Sequence, residues 1–198
     1  MSILSVEVLL HAYSQGYFPM ANDDGMIEWF CPNPRAIIPI ESYKPSKSLR
    51  NVLNQKIFEI KINTNFEEVI KACSKPRFVG DGSWISDEMI KIYAELNKLG
   101  FAHSVEAYYE GELAGGLYGA QLGGVFYGES MFTKVSNASK VAFHFLMMIL
   151  KNEGFELLDT QFMNSNVKRY GAIHIPRNRF LNMLQEAIFK DCSFKMKS

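Results

Sequence analysis

The chain has 198 residues, 47% hydrophobic and 21% charged, proportions of a folded globular protein rather than a disordered one. At about 150 residues per domain, this length holds one domain with room for a small appendage. Basic and acidic residues balance at 21 each, which excludes a strongly basic nucleic-acid binder or an acidic solvating protein as a whole-chain description, though not a local basic patch. Cys31, Cys73 and Cys192 are widely spaced. They form neither a disulfide framework nor a paired metal motif, and fit a reducing compartment. The opening MSILSVEVLLHAYSQG lacks the basic and apolar regions of a secretory signal. No apolar run reaches the roughly 18 residues of a membrane span. The expectation is a cytoplasmic protein without a membrane partner.

In chain order, the pattern predicts a helix over Val6–Gln15 closed by Gly16, then short strands at Ile27–Phe30 and Ala36–Ile40. Pro32 and Pro34 force an extended connection between these strands. A helix follows over Ser46–Asn54 with Ser46 as N-cap, and a strand over Phe58–Ile62. A soft boundary near residue 56 divides a small N-terminal α+β domain (1–56) from a larger one (57–198). Helices are predicted over Asn65–Ser74 and Ser86–Leu99, the second opened by Ser86 with Asp87 and Glu88 in its first turn and closed by Gly100. Three strands form a meander at about 103–110, 112–120 and 124–132, turned at Glu110-Gly111 and Leu122-Gly-Gly124. A helix over Ala138–Asn152, capped by Ser136 or Asn137, is apolar on nearly every side and therefore buried. A strand over Phe155–Phe162 and a helix over Arg179–Phe189 complete the chain. This order describes an α+β (or α/β) fold with a mixed sheet, the last strand lying parallel to the third meander strand through a right-handed crossover. The acyl-CoA N-acetyltransferase (GNAT) superfamily shares it, among other folds.

Asp159 sits in the apolar strand Phe155-Glu-Leu-Leu-Asp-Thr-Gln-Phe162, where an ionised carboxylate is costly unless hydrogen-bonded or used. Period-2 alternation sets Gln161 on the same face, about 7 Å away, a pairing that can hold and deprotonate an amine or hydroxyl. Equally, Asp159 ends the strand or accepts from a neighbouring backbone N–H. Glu129, in Gly128-Glu-Ser-Met-Phe132, stands at the end of an apolar strand, where open sheets place ligands; it also reads as an ordinary paired carboxylate. Phe126, Met131, Phe143, Leu146, Leu150 and Leu158 are core residues unless a cleft beside the acids makes them a pocket. Basic residues gather locally. Arg35, Lys44, Lys47 and Arg50 stand with Trp29, Phe30 and Tyr43 nearby and only Glu41 as an acid; Lys168, Arg169, Arg177 and Arg179 follow later. Such segments are either solvated surface or phosphate contacts with stacking rings, as RNA requires. His11, His103, His144 and His174 are unclustered, so no metal site is expected. The loop before the buried helix, Thr133-Lys-Val-Ser-Asn-Ala-Ser-Lys140, lacks the glycines that would cradle a CoA pyrophosphate.

Several stretches together resemble one family in order and spacing. They are Ala12-Tyr…Gln-Gly-Tyr-Phe-Pro19, Pro32-Asn-Pro-Arg35, Ser83-Trp-Ile85, Ala102-His-Ser-Val-Glu106, Gly115-Gly-Leu-Tyr-Gly119, Gly128-Glu-Ser-Met-Phe132, Asn137-Ala-Ser-Lys140 and Asp159-Thr-Gln161. Over about residues 10–180 the chain is similar to the leucyl/phenylalanyl-tRNA–protein transferases. The resemblance implies a cytoplasmic bacterial enzyme that moves leucine or phenylalanine, and methionine less well, from aminoacyl-tRNA onto proteins beginning with Arg or Lys, marking them for N-degron degradation. It implies a small N-terminal domain before an acetyltransferase-like domain, and neither CoA nor metal as cofactor. Carried over by position, Asp159 acts on the acceptor amine, Gln161 is its partner, and Glu129 positions donor adenosine or acceptor. Phe126, Gly128, Met131, Phe143, Leu146, Leu150 and Leu158 would line the aminoacyl side-chain pocket, with Asn164 a further polar position. Trp84, Tyr93 and Phe30 would surround the terminal adenosine and acceptor end. Leu146 and Leu150 replace expected aromatics, and Asn166 stands where a histidine is expected. Arg35, Lys44, Lys47 and Arg50 are the expected phosphate contacts, and a monomer the expected state. A CoA-dependent N-acetyltransferase and a non-catalytic RNA- or degron-binding adaptor are the alternatives. The expectation for Asp159→Ala is lost transfer with the fold intact.

Overall fold

The computed structural model describes residues 4–22, 24–76 and 84–196. Ser83 of the quoted motifs lies outside them. Helix α1 (Val6–Ser14) opens on Ser5, whose side chain accepts from the Val8 N–H. Strands β1 (Phe18–Ala21) and β2 (Ile27–Phe30) form a two-stranded antiparallel ribbon. After β3 (Arg35–Ile38), helix α2 (Lys47–Gln55) is capped by Ser46 as expected. Then come β4 (Glu59–Ile62), α3 (Phe66–Cys73) and α4 (Asp87–Lys98), the last capped by Ser86. The meander is β5 (Ala102–Tyr109), β6 (Glu112–Leu122) and β7 (Val125–Thr133). Helix α5 (Ala138–Asn152), β8 (Leu157–Gln161), α6 (Ser165–Arg169), β9 (Ile173–Ile175) and α7 (Arg177–Ala187) follow. The sequence pattern misses β1, α6 and β9, all five residues or fewer and too short to set up a period.

Seven strands form one mostly antiparallel sheet in the order β4-β5-β6-β7-β8-β3-β9. The expected parallel pair is present: β7 runs alongside β8, with α5 as the crossover. Strand β3 inserts between β8 and β9, so the sheet draws on chain from both sides of residue 56. Alternation sorts side chains between two cores. Tyr118, Tyr127 and Leu157 join α1, α3, α4 and α7 on one face. Leu117, Phe126 and Leu158 join α5 on the other. Asn137 precedes α5 with a left-handed φ of 71° and makes no side-chain cap. Its Oδ1 instead accepts from Lys140 Nζ at 2.9 Å.

Two irregularities shape the centre of the sheet. The β7–β8 pairing ends at Tyr127↔Asp159, although β7 continues to Thr133. The strands part there and leave an opening at their C-terminal ends, where α/β sheets place ligands. Between β6 and β7 the register steps from Gly119↔Gly128 to Tyr118↔Ser130, leaving Glu129 as the extra residue of a bulge. Gly119 permits this step, since a Cβ there would lie 2.2 Å from the Tyr127 carbonyl oxygen and 2.5 Å from the Phe126 ring. Gly119→Ala is expected to cost about 1–3 kcal/mol through forced backbone and ring movement, read as a lowered urea midpoint with unchanged slope.

Candidate active site

A cavity of about 490 Å³ occupies the gap between β7 and β8. One part of its wall is apolar: Ile38 from β3, Leu117 from β6, Met131 from β7, Phe143 and Leu146 from α5, and Leu158 from β8. The rest is polar, with Glu129, Ser130, Thr160, Asn164 and Asn166, and carries Trp84 and Tyr118. Asn164 is the N-cap of α6, its Oδ1 accepting from the Asn166 and Val167 N–H groups at 2.9 and 3.0 Å. Tyr170 stacks on Phe143 with centroids 4.0 Å apart, and Asn166 Nδ2 reaches Met131 Sδ at 3.4 Å. Trp84 is tied to the β1 end, its carbonyl accepting from the Ala21 N–H at 3.0 Å.

Glu129 is gripped from behind. The buried Tyr13 hydroxyl of α1 donates to its Oε1 at 2.6 Å, and Tyr13 in turn shares a hydrogen bond with the Tyr93 hydroxyl of α4. From β8, Gln161 Nε2 donates to the same Oε1 at 3.3 Å. Burial pushes the Glu129 carboxyl up to about 8, against the Tyr13 hydrogen bond, with the nearby Asp159 charge adding to the rise. Burial likewise holds the Tyr13 and Tyr93 hydroxyls well above their usual range, so both remain protonated donors.

Asp159 lies behind the cavity wall rather than on it. It and Arg35 are both 0% exposed. Arg35 Nε donates to Asp159 Oδ1 at 2.8 Å and Nη2 to Oδ2 at 2.6 Å, while Nη1 reaches the Gly16 carbonyl at 3.1 Å. The guanidinium lies between the Phe18 and Phe180 rings, 4.8 and 4.4 Å from their centroids. The sequence puts Arg35 among the phosphate contacts, and the structure overturns this: an arginine sealed in the core meets no phosphate. The pair also sets a stability cost on Asp159→Ala that the sequence did not reveal. Removing one member of a buried pair strands the other charge, a loss of about 3–5 kcal/mol.

Of the other residues singled out in the sequence, Gly128, Glu129, Met131, Phe143, Leu146, Leu158, Asn164 and Trp84 meet at the cavity. Leu150 does not, because four residues along α5 carry it about 6 Å past Leu146 into the closed core. Phe126 faces the same side of the sheet but packs on Phe194, 5.3 Å away. Phe30 packs on Phe18 and Phe162, and Tyr93 lies buried behind Glu129. Sequence reasoning misses Tyr13, Tyr118, Tyr170 and the Arg35–Asp159 pairing. One signal was present for the last: each charge stands alone in a strand otherwise buried throughout, and such charges need each other. Among the described residues, no three His, Cys, Asp or Glu side chains are grouped to hold a metal, and no helix is long and apolar enough to cross a membrane.

Comparison with known proteins places the chain in a class of enzyme. The family model of the leucyl/phenylalanyl-tRNA protein transferase matches residues 37–185, and that of its N-terminal domain residues 2–33. A leucyl/phenylalanyl-tRNA–protein transferase of Chlorobaculum tepidum is 50% identical over 97% of this chain and 100% of its own. That of Gloeobacter violaceus is 46% identical over 97% and 98%; that of Pseudoalteromonas atlantica is 45% identical over 93% and 79%. Among solved structures, L-PGS from Bacillus licheniformis covers 80% of this chain and 51% of its own at TM-score 0.43 and 14% identity, too slight a likeness to bear on the fold. The class is therefore an aminoacyltransferase that uses tRNA as donor. The chain belongs to the leucyl/phenylalanyl-tRNA protein transferase family.

The raised Glu129 carboxyl makes a prediction about stability. A carboxyl that binds its proton more tightly folded than unfolded contributes stability that is complete below its unfolded value and lost as pH rises through the folded one. Between pH 4.5 and about 8, wild-type Tm should therefore fall relative to Glu129→Gln, whose amide oxygen still accepts from Tyr13. Parallel thermal melts across that range check it, and parallel curves would contradict it.

Proposed function

We propose that this transferase passes leucine, phenylalanine or methionine from aminoacyl-tRNA to the α-amino group of proteins that begin with Arg or Lys, marking them for N-degron degradation. The observation that carries this reading is the cavity itself. An apolar recess formed by Met131, Phe143, Leu146 and Leu158 adjoins a carboxyl at Glu129, an aminoacyl side-chain site next to an amine site. Such a recess distinguishes side chains by about 1–3 kcal/mol per methylene, which suits a donor range spanning Leu, Phe and Met. Among the described residues Glu129 is the acid on the wall, beside the apolar recess.

The chemistry needs little else. The aminoacyl ester is already activated, and holding ester and amine in attack geometry supplies much of the rate. The neutral amine attacks the ester carbonyl, the C–N bond forms, the C–O bond to the ribose breaks, and the ribose oxygen leaves with a proton. The amine loses that proton. Glu129, with its carboxyl near 8, is matched to hold it at neutral pH, and Gln161, tied to Glu129, aligns the amine. Asp159 serves from behind the wall. The splayed β7–β8 pair with its α5 crossover supports the acetyltransferase-like form of the larger domain. Charged tRNA as donor supports action in the cytoplasm.

The tRNA backbone has a second feature to meet. A groove of about 470 Å³ shares Asn166 and Tyr170 with the cavity and is lined by Tyr43, Lys44, Ser46, Lys140 and Arg169, with no acid on its wall among the described residues. Lys47 and Arg50 are exposed on α2 beside the lining residues Ser48 and Leu49 but are not on the groove wall. In a chain of zero net charge, such a local patch is what phosphates would seek.

The transfer assay mixes labelled Leu-tRNA with an acceptor beginning with Arg and, as a control, one beginning with Ser. Label on the Arg acceptor alone is expected. Label on neither would return the cavity to the acetyltransferase or adaptor reading, and label on both would remove the acceptor specificity. Charge reversal of Lys44 and Arg169 together is expected to raise the KM for tRNA about tenfold and to flatten the dependence of log affinity on log salt by about one unit per charge. Transfer from a bare aminoacyl-adenosine should remain as in the wild type; an unchanged KM for tRNA would dismiss the groove.

A further inference from the structure

The Asp159 carboxylate is fully engaged. Its Oδ1 accepts from Arg35 Nε at 2.8 Å and from the Gln161 backbone N–H at 2.9 Å, and its Oδ2 accepts from Arg35 Nη2 at 2.6 Å. Gln161 itself holds a left-handed φ of 57°, a conformation that is unfavourable for a non-glycine residue and persists only where its surroundings enforce it. The register between β3 and β8 slips at this point: Ala36 faces Gln161 and Ile37 faces Asp159. The residue skipped, Thr160, is pinned by its hydroxyl to the Ala36 carbonyl at 3.1 Å. From this backbone position Gln161 Nε2 reaches Glu129 at the cavity.

We propose that Arg35 is a positioning residue of the transfer reaction, acting through the fixed Asp159 carboxylate on the backbone of Gln161. A guanidinium fork can hold both carboxylate oxygens in one plane, which a lysine ammonium cannot. The fork is itself located by the Gly16 carbonyl and by the Phe18 and Phe180 rings, so the end of α1, strand β1 and helix α7 all bear on where Gln161 stands. This assigns Asp159 to the second link of a chain rather than to contact with the amine. The proposal rests on the reading of Glu129 and Gln161 as the groups that meet the acceptor.

The test is a double-variant cycle on the full-length protein, using Arg35→Lys, Gln161→Ala and the pair. Arg35→Lys keeps the buried positive charge and loses the fork. Its kcat is expected to fall about 100-fold, the cost of a misplacement near 1 Å, with the KM for Leu-tRNA within about twofold of wild type because the donor recess is untouched. The pair should be no slower than Gln161→Ala alone, since Arg35 acts through Gln161. Amide hydrogen exchange gives a readout independent of turnover: Gln161 N–H should lose protection in Arg35→Lys while the β5–β7 amides keep theirs. Normal kcat, multiplying losses in the pair, or an unchanged Gln161 amide would each overturn the proposal. If Arg35→Lys fails to fold, Arg35→Met with Asp159→Leu replaces the ion pair by apolar side chains, an exchange that buried pairs often tolerate. That variant should bind Leu-tRNA yet transfer slowly, and wild-type turnover by it would equally overturn the role of Arg35. Wild-type enzyme with the Arg acceptor runs alongside; failure there would remove the acceptor chemistry, a result distinct from fast Arg35→Lys.

Discussion

The arrangement depends on one buried ion pair. Taking a guanidinium and a carboxylate out of water costs several kcal/mol each, and the pair is tolerable only with good geometry and every remaining group satisfied. Arg35 and Asp159 meet those terms through two parallel hydrogen bonds, the Gly16 carbonyl and two aromatic faces. Meeting them brings five parts of the chain to one point: the end of α1, β1, β3, β8 and α7. A buried pair is poor evidence of stability but can enforce a single register. Here the enforced register is the slip between β3 and β8 that brings Gln161 Nε2 to Glu129.

The sheet divides the work between its faces. On one side, α1 and α4 contribute the buried tyrosines that hold Glu129 from behind; on the other, α5 closes the apolar recess. The parting of β7 from β8 after Tyr127 and Asp159 lets both sides open into one cavity. The bulge at Glu129 turns a carboxyl toward a place that strict alternation would reserve otherwise. Cavity, carboxyl and recess therefore share one origin, the loss of regular pairing at the C-terminal ends of two parallel strands.

Much of the fold was legible because it is local. Ser46 and Ser86 announce their helices through capping, Gly100 and Gly154 end theirs, and the turns at Glu110-Gly111 and Leu122-Gly-Gly124 mark the meander. The site was legible more unevenly. Glu129, Met131, Phe143 and Leu158, singled out in the sequence, meet at one cavity. Leu150 shares their helical stripe yet lies past the cavity, because a stripe says which face is buried and not how far the cavity extends. Arg35 read as surface charge because a basic segment looks alike whether its members are solvated or sealed.

The sequence alone determined the order and type of the longer elements, the parallel crossover of α5 and the family, since periodicity, caps and spaced motifs are written in neighbouring residues. Tertiary structure alone decided that β3 enters the sheet between β8 and β9 and that Arg35 finds Asp159 124 residues away. It also decided that Tyr13 and Tyr93, 80 residues apart, join behind Glu129. Each of these matches a buried charge or hydroxyl with a distant partner. Burial makes such a match obligatory, but no local pattern names the partner, which appears only when the strands have taken their places.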